Sequence, residues 1–175
     1  IQDSAAAWFT KAAALGEQGN WPEAIAAYRK CVWLDPENSR AWFALGASYH
    51  QQNGDQPCEA MIKPFKRCIE LDPSDVVAHV NLVNALATVR EDYDSAEKYG
   101  RKAIELDPSH VRAHLVLGAL LAQRKNVKDA EKMCRKVIAL DPKETRALVY
   151  LSEIFEQKYD IPGAIKLMEE FSRLG

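Results

Sequence analysis

The sequence predicts an all-α fold built from repeated helical hairpins, and two observations indicate it. An Asp-Pro pair recurs along the 175 residues, and its prolines lie 37, 35 and 34 residues apart, at Pro36, Pro73, Pro108 and Pro142. Between these pairs the apolar residues recur at steps of three and four, which is the spacing of one helix face. A period near 34 residues with two helical segments in each repeat is typical of stacked hairpins.

The Asp-Pro pairs predict where helices end. Proline disfavours helical geometry in the residue before it, so each helix is expected to end at or before the aspartate. Because proline is tolerated in a first helical turn, the same pair is expected to begin the next helix. Each repeat then holds two helices joined by short connections.

The helices within a repeat are indicated by their apolar positions. In the fourth repeat these positions are Val111, His114, Leu115, Leu117, Gly118 and Leu121 on the first helix, then Ala130, Met133, Cys134, Val137 and Ile138 on the second. Second helices also have start signals. Asn20 begins a capping-box-like Asn-Trp-Pro-Glu run with Pro22 in the first turn, and Asp160 with Pro162 is a cruder version.

The second repeat departs from the regular pattern in two places. Three extra residues lie around Asn53–Pro57, between its two helices. Pro64 falls inside the predicted second helix, where it should either kink the helix or delay its start.

The residues at the repeated positions resemble the tetratricopeptide repeat (TPR) family over essentially the whole chain. The family pattern is Trp-x2-Leu-Gly-x2-Tyr, then Ala-x3-Phe, then Pro. The second repeat carries this pattern at Trp42, Leu45, Gly46, Tyr49, Phe65, Cys68 and Pro73. The resemblance implies a right-handed superhelical solenoid of five TPR hairpins, whose first helices line a concave groove. The repeats fall at 5–38, 39–75, 76–110, 111–144 and 145–175.

These five repeats are expected to form a single TPR domain, 1–175, cut from a longer protein. The chain starts at Ile1 rather than at a methionine, and it finishes inside the predicted second helix of the fifth repeat. Repeat arrays need polar caps at their ends, which favours further sequence beyond Gly175.

The composition argues against nucleic acid and membrane partners. Lys and Arg number 23 against 25 Asp and Glu, a net charge of −2, whereas nucleic-acid binding needs clustered basic residues. No apolar run approaches the roughly 18 to 20 residues that span a bilayer, and no signal peptide is evident. The four cysteines form no CxxC pair, so we expect buried thiols in the cytoplasm or another reducing compartment.

No motif predicts an enzyme, a cofactor or a metal site. A glycine-rich phosphate loop, a GxSxG elbow and an HExxH motif are all missing from the sequence. His110 and His114 have the spacing of two metal ligands on one helix, but a metal centre needs three or four ligands. His114 and His79 lie where the repeat packs a large core residue. Burial is likewise expected for Trp8 and Trp42, whereas the sequence does not predict whether Trp33 is covered.

The resemblance also implies a binding site on the first helices. Carrying over the groove positions of the family selects Phe9, Arg40, Phe43, Val80, Asn81, Asn84, Arg112, Leu115, Arg146 and Tyr150. Asparagine amides can bind a peptide backbone whatever its sequence. Arginines bind carboxylates through forked donors, and an apolar floor holds apolar anchors. The alternative is a purely structural role, in which the apolar side chains of this set pack between helices and the arginines are solvated.

Two functional hypotheses follow. The first is a non-catalytic scaffold or adaptor that binds a peptide or helix of a partner, with acidic and apolar residues, in its groove. The standard carboxylate clamp of chaperone-binding TPR domains does not fit, because its positions in the first three repeats hold Phe9, Ala13, Ala44, Val77 and Asn81. The alternative is an architectural arm of a larger multi-subunit assembly, contacted through its ends or its convex face.

Overall fold

The computed structural model describes residues 4–157 and, beyond them, residues 162, 163, 165, 166 and 169. Within residues 4–157 the regular structure is entirely helical. The helices are α1 (Ala5–Glu17), α2 (Trp21–Leu34), α3 (Ser39–Gln52), α4 (Ile62–Leu71), α5 (Val76–Val89), α6 (Tyr93–Leu106), α7 (Val111–Gln123), α8 (Val127–Leu140) and α9 (Thr145–Gln157), with a 3-10 turn at Glu59–Met61. The predicted all-α class is confirmed, whereas the helix start expected at Asp160 lies outside the described residues.

The chain divides into two compact units, Ile1–Asp92 and Tyr93–Gly175. In the first unit α1 packs on α2, α2 on α3, α3 on α4, and α4 on α5. In the second unit α6 packs on α7, α7 on α8, and α8 on α9. Each helix therefore packs chiefly against its neighbours along the chain, which is the contact pattern of a repeat protein.

Each Asp-Pro pair ends a helix as predicted. The last helical residue is the leucine before the aspartate, at Leu34, Leu71, Leu106 and Leu140. The aspartate N–H still donates to the helix, as from Asp72 to the carbonyl of Cys68 at 2.7 Å. The steric effect of proline on the preceding residue explains why the aspartate lies just outside the helix.

The expectation that the same pair begins the next helix is wrong. Pro108 lies in a turn before α7, which begins only at Val111. The Asp107 carboxylate accepts hydrogen bonds from the N–H and hydroxyl of Ser109, at 2.9 and 2.7 Å, and these bonds stabilise the turn. The N-cap is His110, whose ring Nδ1 accepts a hydrogen bond from the N–H of Ala113 at 3.2 Å. The preceding turn repeats this arrangement at Asp72, Ser74 and Asp75.

The start of α2 is predicted correctly, but its capping box is not formed. Asn20 is the N-cap and Pro22 lies in the first turn. The Asn20 side chain makes no capping hydrogen bond. The backbone fixes this start instead, because the Asn20 N–H donates to the carbonyl of Leu15 at 2.9 Å and its carbonyl accepts from Ala24 at 3.0 Å.

Pro64 delays the start of α4 and does not lie within a longer helix. The helix begins at Ile62 and has 10 residues, against 14 in α2. Pro64 is its third residue, where a backbone N–H would have no partner within the helix. The three extra residues are absorbed before it by the 3-10 turn and by a loop in which Gly54 and Asp55 have φ values of 65° and 60°.

A close helix contact positions the aromatic residues of the second repeat. A Cβ added at Gly46 would lie 2.9 Å from the ring of Phe65, which is fully buried. The missing side chain at Gly46 thus makes room for this ring between α3 and α4. In the fourth repeat Gly118 faces Cys134 and Met133 less tightly, at 3.2 Å.

Candidate functional site

Two aromatic side chains on the first helices of the first unit are partly anchored in the core. Phe9 on α1 meets Tyr28 edge-on, with ring centroids 5.5 Å apart, and Phe43 on α3 meets Phe65 in the same way at 5.6 Å. Both phenylalanines are half-buried. Each ring is therefore held in place by its hairpin and still has surface to offer a ligand.

Arg40 connects these two helices. Its side chain is exposed, and its guanidinium carbon lies 5.7 Å from the centre of the Phe9 ring, a cation–π contact between α3 and α1. Arg40 forms no ion pair with any described residue. The structure thus brings Phe9 and Arg40 together, with Phe43 one helical turn further along α3, and leaves the charge of Arg40 available.

Asn81 and Asn84 lie three residues apart on α5, and therefore on one side of that helix. Both side chains are half-buried. Within the part of the chain that the structure describes, neither amide forms a hydrogen bond with the protein. These two amides are partly shielded from solvent and have no hydrogen-bond partner among the described residues.

Val80 and Leu115 belong to the core. Their exposed fractions are 0% and 3%. This burial corrects the expectation that these side chains form an exposed floor. An exposed apolar side chain on α5 is Val77, which is 39% exposed and lies one helical turn before Asn81.

The second unit holds the remaining predicted residues. Arg112 at the start of α7 is exposed and has no ion pair with a described residue. Arg146 on α9 is instead bound to Glu144 by two hydrogen bonds, from Nε at 2.8 Å and from Nη2 at 2.5 Å. These bonds hold the pKa of the Glu144 carboxyl below its usual value. A ligand carboxylate at Arg146 must displace Glu144, whereas none competes at Arg112. Tyr150 is half-buried.

The histidines and the second-repeat tryptophan have structural roles. Each donates a ring N–H to the carbonyl of the proline six residues earlier, at 2.8 Å for Trp42, 3.1 Å for His79 and 2.9 Å for His114. Donation to a carbonyl requires a proton on Nε2 of both histidines. Trp42 is half-buried, while the histidines are buried as predicted. Among the described residues no three His, Cys, Asp or Glu side chains are placed to hold a metal ion.

The four cysteines are free thiols, and the three buried ones are of low reactivity. Cys31, Cys68 and Cys134 are buried, as predicted, and Cys58 is half-buried. Burial raises the pKa of Cys68 to about 12 and that of Cys134 to about 11. Such thiols stay protonated at neutral pH and are poor nucleophiles.

Trp33 and its surroundings were not predicted from the sequence. The Trp33 side chain is 70% exposed. It lies at the edge of a cavity of about 540 Å³ between α2, α3 and the start of α4. The period of the apolar residues assigns a face to each helix, but it does not show where a short neighbouring helix leaves that face uncovered.

Comparison with known proteins agrees with this hairpin architecture. Residues 3–53 match a family described as TPR repeat, and residues 90–148 match a family described as Tetratricopeptide repeat. The helices, their order and these matches define a helical-hairpin repeat protein. The chain is a member of the tetratricopeptide repeat proteins, and the resemblance noted in its sequence is confirmed.

Solved structures show the same fold. A crystal structure of MamA has a TM-score of 0.88, is 21% identical, and covers 99% of this chain and 93% of its own. YrrB, described as a TPR protein with an unusual peptide-binding site, has a TM-score of 0.83 at 18% identity, with 99% and 87% covered. PilF of Pseudomonas aeruginosa has a TM-score of 0.75 at 17% identity, with 98% and 76% covered.

A curated relative matches part of the sequence. The peroxisomal targeting signal receptor of Yarrowia lipolytica is 32% identical over 78 residues, which make up 45% of this chain. The matched segment spans only 12% of that receptor. Separately, no described helix combines the length and apolar character that crossing a membrane requires.

Proposed function

We propose that this chain is a non-catalytic protein-interaction module, and that the first unit binds an extended peptide of a partner protein on its first helices. The binding surface, here called the first-helix face, consists of Phe9, Arg40, Phe43, Asn81 and Asn84. The single observation that carries the proposal is the pair of half-buried amides on α5 that have no hydrogen-bond partner among the described residues.

These amides suit the backbone of a peptide. Because these amides are partly shielded from water and have no partner among the described residues, a ligand can hydrogen-bond to them without breaking a bond within the protein. Each asparagine offers two donors and one acceptor oxygen. Extended peptides expose N–H and carbonyl groups on both edges, so Asn81 and Asn84 can bind them independently of side-chain sequence.

The rest of the first-helix face sets the ligand class. Arg40 carries an unpaired charge and can donate two parallel hydrogen bonds to a carboxylate. Phe9 and Phe43 provide ring surface for apolar side chains, and the exposed Val77 on α5 adds to it. The expected ligand is therefore a peptide with acidic and apolar residues.

The relatives support this class of function. YrrB is described as having a peptide-binding site, and the Yarrowia protein is named as a receptor for a targeting signal. Interaction with proteins, without catalysis, is what the repeat fold generally serves. The buried thiols favour a reducing compartment such as the cytoplasm.

A random peptide library selected on the native chain tests the proposal. A motif enriched on the native protein should lose about 1 kcal/mol of binding free energy with Asn84→Ala, which removes neutral hydrogen bonds, and about 1 to 3 kcal/mol with Arg40→Glu. Lys128→Glu is the matched control, since Lys128 is exposed on α8 and has no ion pair among the described residues. Circular dichroism checks that each variant is folded.

Enriched peptides that bind all three variants with native affinity would remove the first-helix face from the binding site. Arg112→Glu tests the second unit separately, where loss of a charged hydrogen bond is also expected to cost about 1 to 3 kcal/mol.

A further inference from the structure

The cavity beside Trp33 lies between α2, α3 and the start of α4, and none of its lining residues belongs to the first-helix face. Its volume of about 540 Å³ falls in the range of sites for small ligands and single anchoring side chains. The residues that matter for its chemistry are Arg29, Trp33, Trp42, Tyr49, Lys63 and Pro64. Pro64, in the first turn of α4, is part of the cavity wall.

Trp33 is the apolar side of this cavity. A tryptophan that is 70% exposed leaves a large apolar surface in water, and such surfaces mark interaction sites. Its ring is covered on one side by the ammonium group of Lys30, 4.3 Å from the ring centre. Trp42 adds more ring surface and demands no polar partner, because its N–H already donates to the carbonyl of Pro36 at 2.8 Å.

The charged lining of the cavity is entirely basic. Arg29 and Lys63 line it, and no carboxylate does. Neither side chain forms an ion pair with a described residue. Two nearby carboxylates are already engaged, since Glu59 pairs with Arg90 and Glu37 pairs with Arg67.

We infer that this cavity binds an acidic segment of a partner protein, with one large apolar side chain inserted against Trp33 and carboxylates paired to Arg29 and Lys63. Unpaired cations around a hydrophobic pocket complement an apolar residue flanked by Asp or Glu. Nucleic acid is disfavoured, because Arg29, Lys63 and the neighbouring Lys30 neutralise too few phosphates and the chain carries a net charge of −2. This surface goes beyond the first-helix face and would let the chain contact a second partner.

The test uses a fluorescent synthetic peptide with four aspartates around a central phenylalanine, and a second peptide with lysines in place of the aspartates. Fluorescence anisotropy should show binding of the acidic peptide and none of the basic one. Trp33→Ala, which removes a surface side chain, is expected to weaken binding at least about tenfold, as loss of an aromatic anchor does. Lys63→Glu is expected to weaken it about fivefold or more, as loss of one hydrogen-bonded ion pair does, and Lys128→Glu is the matched control.

Each other outcome overturns the inference. Equal binding of both peptides, or binding that survives Trp33→Ala and Lys63→Glu, would show that the cavity does not read acidic segments. Binding lost in Asn84→Ala but kept in Trp33→Ala would place the peptide on the first-helix face. An oligothymidylate that binds more tightly than the acidic peptide, or self-association in sedimentation that Trp33→Ala abolishes, would assign the cavity to nucleic acid or to a second copy.

Discussion

Two aspartates in the Asp-Pro turns show how single residues contribute to stability. The hydroxyl and N–H of Ser74 hold the pKa of Asp72 below its usual value, and Ser109 does the same for Asp107. A carboxyl pKa that is lower in the folded protein adds stability above the pKa of the unfolded chain. This contribution is lost as the pH falls through the folded pKa.

Ser109→Ala is therefore expected to raise the pKa of Asp107 towards its ordinary value. The variant should be less stable than the native protein at neutral pH, and the difference should shrink as the pH falls below the folded pKa of Asp107. Carboxyl carbon NMR measures the pKa, and urea unfolding at several pH values measures the stability. Asp72 serves as the internal reference, because its own serine is untouched. An unchanged Asp107 titration would contradict the assigned role of Ser109.

For single residues, the sequence predicted burial correctly where the position within the repeat decides it. His79 and His114 were expected in the core because they occupy a repeated core position, and both are buried. It failed for Val80 and Leu115, because a groove position carried over from the family does not show how far the surrounding side chains cover it, and both are buried. The surroundings of Trp33 stayed open, because they depend on residues of α3 and α4 that the repeat pattern does not position.

The packing of α3 on α4 illustrates the scale of helices. Gly46 faces the ring of Phe65, which is fully buried and held edge-on by Phe43. A Cβ at Gly46 would lie 2.9 Å from that ring, closer than real Cβ contacts. The ring cannot move aside without disturbing Phe43, so the clash must separate the helices or distort the rotamers.

Gly46→Ala is expected to lower the free energy of unfolding by about 1 kcal/mol, because overpacking of about 1 to 3 kcal/mol outweighs a gain of about 1 kcal/mol in helix propensity. Gly118→Ala is the matched control. Its new Cβ would lie 3.2 Å from Cys134 and Met133, so the two effects should nearly cancel. Urea unfolding of both variants measures the difference. A Gly46→Ala protein as stable as Gly118→Ala would rule out the close contact with Phe65.

Helix ends were predicted better than helix starts for a physical reason. The end before each Asp-Pro pair follows from a steric effect between adjacent residues. The next start depends on side-chain bonds in the turn, such as the Ser109 bonds to Asp107 and the cap at His110. Pro64 allowed either a kink or a delayed start, and the loop before α4 was long enough for the delay.

For the whole molecule, the fold was easier to predict than the binding surfaces. Each hairpin packs only against its neighbours, so the period of the sequence is enough to predict which helices pack together. A binding face depends on which side chains remain exposed and unpaired after packing. Arg112 and Arg146 occupy equivalent positions in the sequence pattern, yet only Arg146 is engaged by an adjacent carboxylate, Glu144.

The first unit, with two candidate surfaces, is expected to bind two ligands at once. Both surfaces include residues of α3, but no residue belongs to both, and Asn84 on α5 and Trp33 on α2 share no hydrogen bond or ring contact. Two sites are coupled only when the ligand of one site favours a protein conformation that changes the affinity of the other site. Binding at either surface requires no such conformational change. The acidic peptide at saturation should therefore leave the affinity of a library-selected peptide unchanged, and each single variant should weaken only its own ligand. Competition anisotropy measures both affinities together. Displacement of one peptide by the other would mean that a single surface of this repeat protein binds both ligands. The variant that weakens both peptides, Arg40→Glu or Lys63→Glu, would then identify that surface.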